Sequence, residues 1–341
     1  MRRCIQLAKI GLGNTYPNPM VGCVIVHNGK ITGEGYHKKA GEPHAEVNAI
    51  NSVKDKSVFP NSTIYVSLEP CSHYGKTPPC ADLIIQSGFK HVVIGTEDPF
   101  AKVNGLGIKK LLEAGCQVKV GVCEDQCLDL NKRFFTFHQK KRPYIILKWA
   151  ESKDGFLSPY TIENFENKPP AWLTNPVSKQ LVHQWRAEEM AILVGTHTAL
   201  MDNPELTVRQ ASGTNPIRVV IDKSLKIPET HKIFNSAAKT FVFTEMEKAN
   251  TDHNSYFKID FSKEVVPQLL EVLHQNNIQS IIIEGGKQTL DSFINLDLWD
   301  EARVFTTKVE FNQGTKAPCF NLQPTTSMPI EDDVLSIYHR A

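Results

Sequence analysis

Pro43-His44-Ala45-Glu46, then Glu69-Pro70-Cys71 and, further on, Cys80 supply the residue types of a reactive metal centre. One imidazole nitrogen and two thiolates can hold a zinc ion and leave its fourth position open, as catalytic rather than structural zinc sites do. Glu46 stands two residues from His44. It places a carboxylate beside the metal without using it as a ligand, ready to move protons between water on the metal and a substrate nitrogen. A lone histidine is ordinarily a surface or satisfied core residue, and a lone cysteine a small packing residue. Here four residues follow the order the chemistry needs, which favours a working site over a structural zinc knot. Such a knot would close with a fourth Cys or His, and His73, between the cysteines, is the residue able to close it.

An H-x-E motif followed by P-C-x-x-C marks the zinc deaminases. In this chain eight residues, Ser72 to Pro79, separate the cysteines instead of two. The long form, Pro70-Cys71-Ser72-His73-Tyr74-Gly75-Lys76-Thr77-Pro78-Pro79-Cys80, resembles the bifunctional deaminase–reductases of riboflavin biosynthesis. That resemblance implies an α/β protein: an N-terminal cytidine-deaminase-like three-layer domain holding one Zn2+, then a dihydrofolate-reductase-like α/β domain that uses NADPH. It also implies that Pro17-Asn18-Pro19 borders the pyrimidine pocket, making Asn18 a substrate-binding candidate where the plain reading is a turn residue.

The remaining chain is compatible with two soluble domains. At 341 residues it exceeds most single domains. Its net charge of +1, from 38 basic and 37 acidic side chains, offers no general attraction to nucleic acid or membrane. No apolar run approaches the roughly 18 residues of a membrane span. Met1-Arg2-Arg3-Cys4 opens an amphipathic pattern and not a signal peptide, and an upstream turn of that first helix is expected to be missing. Seven of the eight cysteines precede residue 128, two with a metal role, which suits reduced thiols and a cytoplasmic protein. Cys23, Cys116, Cys123 and Cys127 read as packing residues. Homo-oligomerisation is left open.

The elements that must position the motif follow from periodicity. A helix over residues 5–10 precedes the run Val21–Val26, a turn at Asn28-Gly29 and a returning strand Ile31–Tyr36. Pro43 then opens a helix through Ser52, with His44 and Glu46 at its start. Thr63–Leu68 reads as a buried strand ending at Glu69-Pro70-Cys71. Helices at 81–87 and 107–114 alternate with strands His91–Gly95 and Cys116–Gly121, predicting a sheet covered on both faces. Gly105-Leu106-Gly107 lacks the third glycine of a dinucleotide fingerprint and reads as a helix start. Residues 131–142 place six Lys, Arg or His side chains among Phe134, Phe135 and Phe137, which predicts a solvated interdomain helix. The domains are therefore 1–142 and 143–341.

In the second half, Leu147-Lys148-Trp149-Ala150-Glu151-Ser152-Lys153-Asp154-Gly155 and the segment Thr196–Arg209 again resemble the reductase half of that family. A helix from Pro176 to Arg186, strands at 191–195, 216–222, 240–244 and 280–283, and a helix at 289–294 are expected. Gly285-Gly286-Lys287 between strand and helix offers free N–H groups to a phosphate. By resemblance, Ala150, Trp172, Thr198, Asp202, Gly286 and Lys287 contact NADPH, while Arg186, Leu206, Arg209 and Glu284 contact substrate. The arginines suit a ribose phosphate, since a guanidinium fork matches its oxygens. The family usually has Asp-Asp-Pro where this chain has Asp202-Asn203-Pro204.

The function this implies is hydrolytic deamination of 2,5-diamino-6-(5-phosphoribosylamino)pyrimidin-4(3H)-one with Glu46 as proton carrier, followed by NADPH-dependent reduction of the ribosyl group of the product to ribityl. The partner is then a small molecule. Two other readings differ in class. A deaminase of nucleic-acid bases would show a basic groove and the shorter cysteine spacing. A non-catalytic zinc-stabilised binding protein would use His73 as a fourth ligand.

Overall fold

A computed structural model describes residues 1–72, 74, 78–100, 104–161 and 173–340. Trp172 and His73 lie outside these described residues. The chain divides into two compact units, Met1–Lys141 and Arg142–Ala341.

The first unit runs α1 (Arg2–Lys9), β1 (Gly22–His27), β2 (Lys30–Tyr36), α2 (Ala45–Ser52), β3 (Ser62–Val66), α3 (Cys80–Gln86), β4 (His91–Ile94), α4 (Leu106–Glu113), β5 (Gln117–Lys119), α5 (Glu124–Leu130) and α6 (Lys132–Lys140). Its strands form one sheet in the order β2-β1-β3-β4-β5. The hairpin β1–β2 turns at Asn28 and Gly29, both at positive φ, as a tight primed turn requires. β1 alternates its side chains across the sheet. Cys23 and Ile25 join Ala49, Ile84 and Leu111 of α2, α3 and α4 on one face. Val24 packs with Cys4 and Leu7 of α1 on the other, where α1 also meets Cys127 and Leu130 of α5. Three layers result.

Glycine at 35 sets the distance between α2 and the hairpin. A Cβ there would stand 2.3 Å from the Ala49 nitrogen and 2.6 Å from the Ala45 oxygen, so only Gly lets this helix lie against β2. The site motif is at the start of that helix.

Two local expectations are corrected. The strand expected to reach Leu68 ends at Val66, which leaves Ser67–Cys71 as the loop that carries a motif cysteine. The basic aromatic segment is not a solvated helix: Arg133, Phe134, Phe135, Thr136 and Phe137 of α6 are buried. Phe134 and Phe135 pack on Leu68, next to Val21 and Phe100, within the first unit. The charges misled because Lys140 and Lys141 occupy only the exposed end.

The second unit runs β6 (Tyr144–Glu151), β7 (Phe156–Ser158), α7 (Pro176–Glu188), β8 (Ala191–Gly195), α8 (Thr196–Asp202), β9 (Ile217–Ile221), β10 (Thr240–Thr244), β11 (Asn254–Lys258), α9 (Val265–Gln275), β12 (Ser280–Ile283), α10 (Lys287–Asn295), β13 (Glu301–Thr306), β14 (Thr315–Lys316), β15 (Thr326–Ile330) and β16 (Asp333–His339). Nine strands form one sheet, β11-β10-β9-β8-β12-β6-β13-β16-β15, and β7 pairs with β14 separately. From β11 to β13 neighbouring strands are parallel; β16 and β15 close the edge antiparallel. Helices α9 and α10 cover one face through Leu269, Leu273, Leu290 and Phe293. Val182 and Trp185 of α7 and Ala199 of α8 cover the other. Burial on both faces is why β12 can read Ser280-Ile281-Ile282-Ile283 without polar alternation. The chain leaves β6, builds β8 to β11 outward, then returns to insert β12 between β8 and β6. Such a reversal opens a crevice at the carboxyl ends of the strands, where open α/β sheets bind ligands.

Candidate active sites

In the first unit, His44 caps α2 in extended conformation, Cys71 lies beyond β3 and Cys80 opens α3. Folding brings their ligand atoms within 4.8 Å of one another. His44 Nδ1 stands 3.3 Å from Cys80 Sγ and 3.6 Å from Cys71 Sγ. Two ligands of one tetrahedral zinc, bonded at about 2.3 Å for sulfur and about 2.1 Å for nitrogen, stand about 3.6 Å apart. The donor set and its spacing therefore fit zinc. Among the described residues no other group of three His, Cys, Asp or Glu converges in this way.

These groups share their protons unequally. The hydrogen bond with Cys80 draws the Cys71 thiol down to about 4, with further help from His44. The same bond, together with burial, pushes Cys80 well above the ordinary thiol range. His44 is raised, chiefly by its bond to Cys71. Metals take deprotonated ligands. Loading zinc onto chelator-stripped protein should therefore release protons from Cys80 and His44, and affinity should fall as pH is lowered. Calorimetric titration in buffers of different ionisation enthalpy checks this; a binding heat that ignores the buffer would contradict it.

Glu46 sits on the first turn of α2 at 3% exposure. Burial, and then the nearby Cys71, push its carboxyl up to about 7. It also hydrogen-bonds the Cys80 thiol, so it faces the ligands without being needed among them. A cation at the centre would favour its charged form.

Asn18 reaches the same place through a residue that the motif reading passed over. Its Nδ2 lies 3.0 Å from His37 Nε2, and His37 Nδ1 lies 3.2 Å from the Pro43 carbonyl. The His37 and His44 rings meet edge to face at 5.4 Å. Burial lowers the pKa of His37. A neutral ring that donates to Pro43 accepts from the Asn18 amide, leaving the Asn18 oxygen for another partner. Asn131 holds this segment in place by exchanging both of its amide hydrogen bonds with the Met20 backbone, at 2.8 and 2.9 Å.

Glu69 is the other unrecognised contributor. Its buried carboxylate accepts from the backbone N–H groups of Asp98, Gly105, Gly107 and Ile108 at 2.8–3.2 Å. It thereby ties the Cys71 loop to the start of α4, where a Cβ on Gly107 would stand 2.1 Å from the Pro70 oxygen. An acidic residue directly before Pro-Cys was the only signal in the sequence. Glu69→Ala would orphan these donors, at about 1–3 kcal/mol for a buried group left unpaired, and should weaken zinc binding about tenfold by loosening Cys71. Chemical denaturation and competition with a chromogenic chelator measure the two effects. Unchanged zinc affinity would show that Cys71 is held by other means.

Among the described residues of the second unit, Ala150, Thr198, Glu284 and Gly286 stand at or just beyond the carboxyl ends of β6, β8 and β12. Ala150 lies near the end of β6. Thr198, on α8, accepts at Oγ1 from the Gly286 N–H at 2.9 Å, joining two of the cofactor candidates. Asp202 ends α8 and is exposed. Lys287 pairs its side chain with Asp291 along α10 at 2.7 Å, so its backbone N–H at the helix start is what it offers a phosphate.

The substrate candidates converge more tightly. Arg186 donates to Glu284 at 2.9 Å and to the Thr207 carbonyl at 3.4 Å. Arg209 donates from Nη1 to Thr207 Oγ1 at 3.1 Å. Thr207 thus links both guanidinium groups. His183 Nδ1 accepts from the Arg209 backbone at 3.3 Å. Burial, reinforced by Arg186 and Arg209, lowers the His183 pKa and favours its neutral ring. Leu206 is 3% exposed, with its side chain packed into the core and its backbone at φ 55. Asn203, where the family pattern differs, occupies the left-handed region and accepts from Lys232 N–H at 2.8 Å. Its oxygen serves a backbone contact that needs no charge.

Lys148 is the residue here that sequence reading missed. The register pairs Ile283 with Leu147, and Lys148 Nζ stands 3.8 Å from Glu284 Oε1. Burial lowers the Lys148 pKa. Burial alone would raise Glu284, but Arg186 and Lys148 outweigh it and hold the carboxyl below its usual range. A lysine within an apolar strand was the available signal.

Matches to known families agree with this division. Residues 1–96 match the cytidine and deoxycytidylate deaminase zinc-binding region, and residues 143–308 match the RibD C-terminal domain. The fold and the two sites define a zinc-dependent deaminase joined to an NADPH-dependent reductase. The chain is 41% identical over 319 residues to the riboflavin biosynthesis protein RibD of Aquifex aeolicus, covering 92% of this chain and 87% of that one. It is 36% identical to RibD of Escherichia coli K12, covering 94% and 89%. The crystal structure of the Thermotoga maritima diaminohydroxyphosphoribosylaminopyrimidine deaminase/5-amino-6-(5-phosphoribosylamino)uracil reductase superposes with a TM-score of 0.89 at 36% identity, covering 100% of this chain and 97% of that one. The chain belongs to the RibD family, the bifunctional deaminase–reductases of riboflavin biosynthesis.

Proposed function

We propose that residues 1–142 deaminate 2,5-diamino-6-(5-phosphoribosylamino)pyrimidin-4(3H)-one and that residues 143–341 reduce the resulting 5-amino-6-(5-phosphoribosylamino)uracil to its ribityl form. The observation that carries the first half is the convergence of His44, Cys71 and Cys80 around a buried Glu46. Zinc, when bound by those three residues, supplies the Lewis acidity that makes water nucleophilic near neutral pH. Glu46 takes the proton of the attacking water and returns protons to the ring nitrogen and the departing ammonia. Asn18, its amide turned by His37, accepts from the pyrimidine edge.

For the second half, NADPH supplies the hydride. Thr198, through its hydroxyl hydrogen, and the Lys287 N–H at the start of α10 receive the cofactor's phosphates, with Gly286 holding Thr198 and with Ala150, Trp172 and Asp202 as further cofactor contacts. Arg186 and Arg209 hold the substrate phosphate. As hydride reaches C1′ and the bond from C1′ to the ring oxygen opens, Lys148 gives that oxygen its proton, with Glu284 keeping the ammonium in place. A small-molecule substrate and a cytoplasmic setting go with this reading.

The test gives purified protein the diaminopyrimidine ribosyl phosphate with and without NADPH, following product mass and cofactor absorbance together. Deamination without NADPH, followed by NADPH consumption on its addition, is the expected order. Zinc-loaded protein that deaminates nothing would overturn the first half; deaminated product left unreduced would overturn the second.

A further inference from the structure

Behind the segment that carries Arg209 lies Arg218 on β9, with no exposed surface. Its Nη1 donates to the Lys232 carbonyl at 2.9 Å and to Asn235 Oδ1 at 2.8 Å, and its Nη2 donates to the carbonyls of Asn235 and Ala238. Nε has no hydrogen-bond partner among the described residues. Burial lowers this guanidinium to about 10. A charge taken out of water is costly unless hydrogen-bonded, and the four acceptors here are all supplied by one loop, residues 232–238. The guanidinium and the loop therefore fix each other's shape.

That loop reaches forward. Asn235 spends its oxygen on Arg218 and donates from Nδ2 to Glu205 Oε1 at 3.3 Å. Glu205 Oε2 in turn accepts from Arg209 Nη1 at 3.4 Å. Lys232 N–H binds Asn203 at the other end of the same segment. Between them Asn203 and Leu206 hold positive φ, which non-glycine residues keep only where their surroundings impose it. An exposed Arg–Glu pair on its own contributes little. With one carboxylate oxygen already engaged by Asn235, Glu205 presents the other to Arg209 in one direction.

We infer that Asn235 and Glu205 are positioning residues of the reductase, aiming the Arg209 guanidinium at the substrate phosphate from a loop built on buried Arg218. The inference rests on the reading of Arg209 as a phosphate contact and adds what orients it. Neither residue is asked to touch substrate or cofactor.

Asn235→Asp tests the link with little disturbance of the loop, since it keeps the acceptor for Arg218 and replaces the donor to Glu205 by a second carboxylate. KM for 5-amino-6-(5-phosphoribosylamino)uracil should rise about five- to tenfold with kcat nearly unchanged, the signature of lost uniform binding. Deamination and Tm should not move. Adding Glu205→Gln should restore KM, because the amide then donates to the new carboxylate and accepts from Arg209. Arg209→Ala, measured alongside, should raise KM more than either. If Arg209→Ala raises KM and Asn235→Asp does not, the positioning role is wrong while the phosphate contact stands. If Arg209→Ala leaves KM unchanged, both fail. A joint fall of kcat and Tm in Asn235→Asp, without rescue by Glu205→Gln, would leave the loop a purely structural role and overturn the inference.

Discussion

Glu46→Gln is expected to bind zinc as the parent does and to deaminate about 10³-fold more slowly, within the range that a positioned proton carrier contributes. The ligand atoms of His44, Cys71 and Cys80 suffice for a catalytic zinc, so removing the Glu46 charge removes no ligand. The amide keeps the volume of a side chain buried in the first turn of α2 but accepts no proton. The reductase site, in the other unit, should turn over supplied aminouracil ribosyl phosphate at the parental rate. Zinc content by mass spectrometry and initial rates for each half-reaction make the comparison. Normal deamination would remove Glu46 from the mechanism, whereas loss of zinc would mean that the carboxylate helps to build the centre.

The second large effect is expected at Lys148. Lys148→Met should slow ribosyl reduction about 10²-fold or more, with deamination untouched. Lys148→Arg separates charge from proton transfer, because a guanidinium keeps the pairing with Glu284 but does not give up its proton. If Lys148 is the acid, the arginine variant stays slow even though substrate binds. The sign of the pH dependence follows from the same group. The protonated form is the working one and burial lowers its pKa, so reduction by the parent should decline with rising pH earlier than an ordinary lysine would dictate. The Lys148→Met variant should lose that decline. A parental pH profile in the methionine variant would assign the proton to another group.

The zinc centre was legible because metal chemistry constrains residue types closely. His44, Glu46, Cys71 and Cys80 are specific in kind and order, and their setting at a helix start and a strand end follows from local periodicity. The alternation of strands and helices likewise declared the α/β class, since burial on one face or two leaves its period in the sequence. Lys148 was harder to read. In sequence it is a polar interruption of an apolar strand; only the pairing of β6 with β12 sets it beside Glu284. The six basic or histidine side chains of residues 131–142 suggest a solvated face, yet tertiary packing turns Phe134 and Phe135 inward against Leu68.

The sequence by itself therefore determined the class of chemistry, a zinc-dependent deaminase joined to a reductase, and put forward the groups to expect: three metal-ligating residue types with a carboxylate beside them, and guanidinium groups with a Gly-Gly helix start in the second half. The tertiary structure decided how those groups are held. Glu69 gathers backbone N–H groups from residues 98–108, Asn131 fastens the Asn18 segment from 111 residues away, and Asn235 reaches Glu205 across 30 residues. Such supports satisfy buried backbone and charge wherever folding happens to leave them. They follow from where chain segments meet, and no spacing along the chain records that.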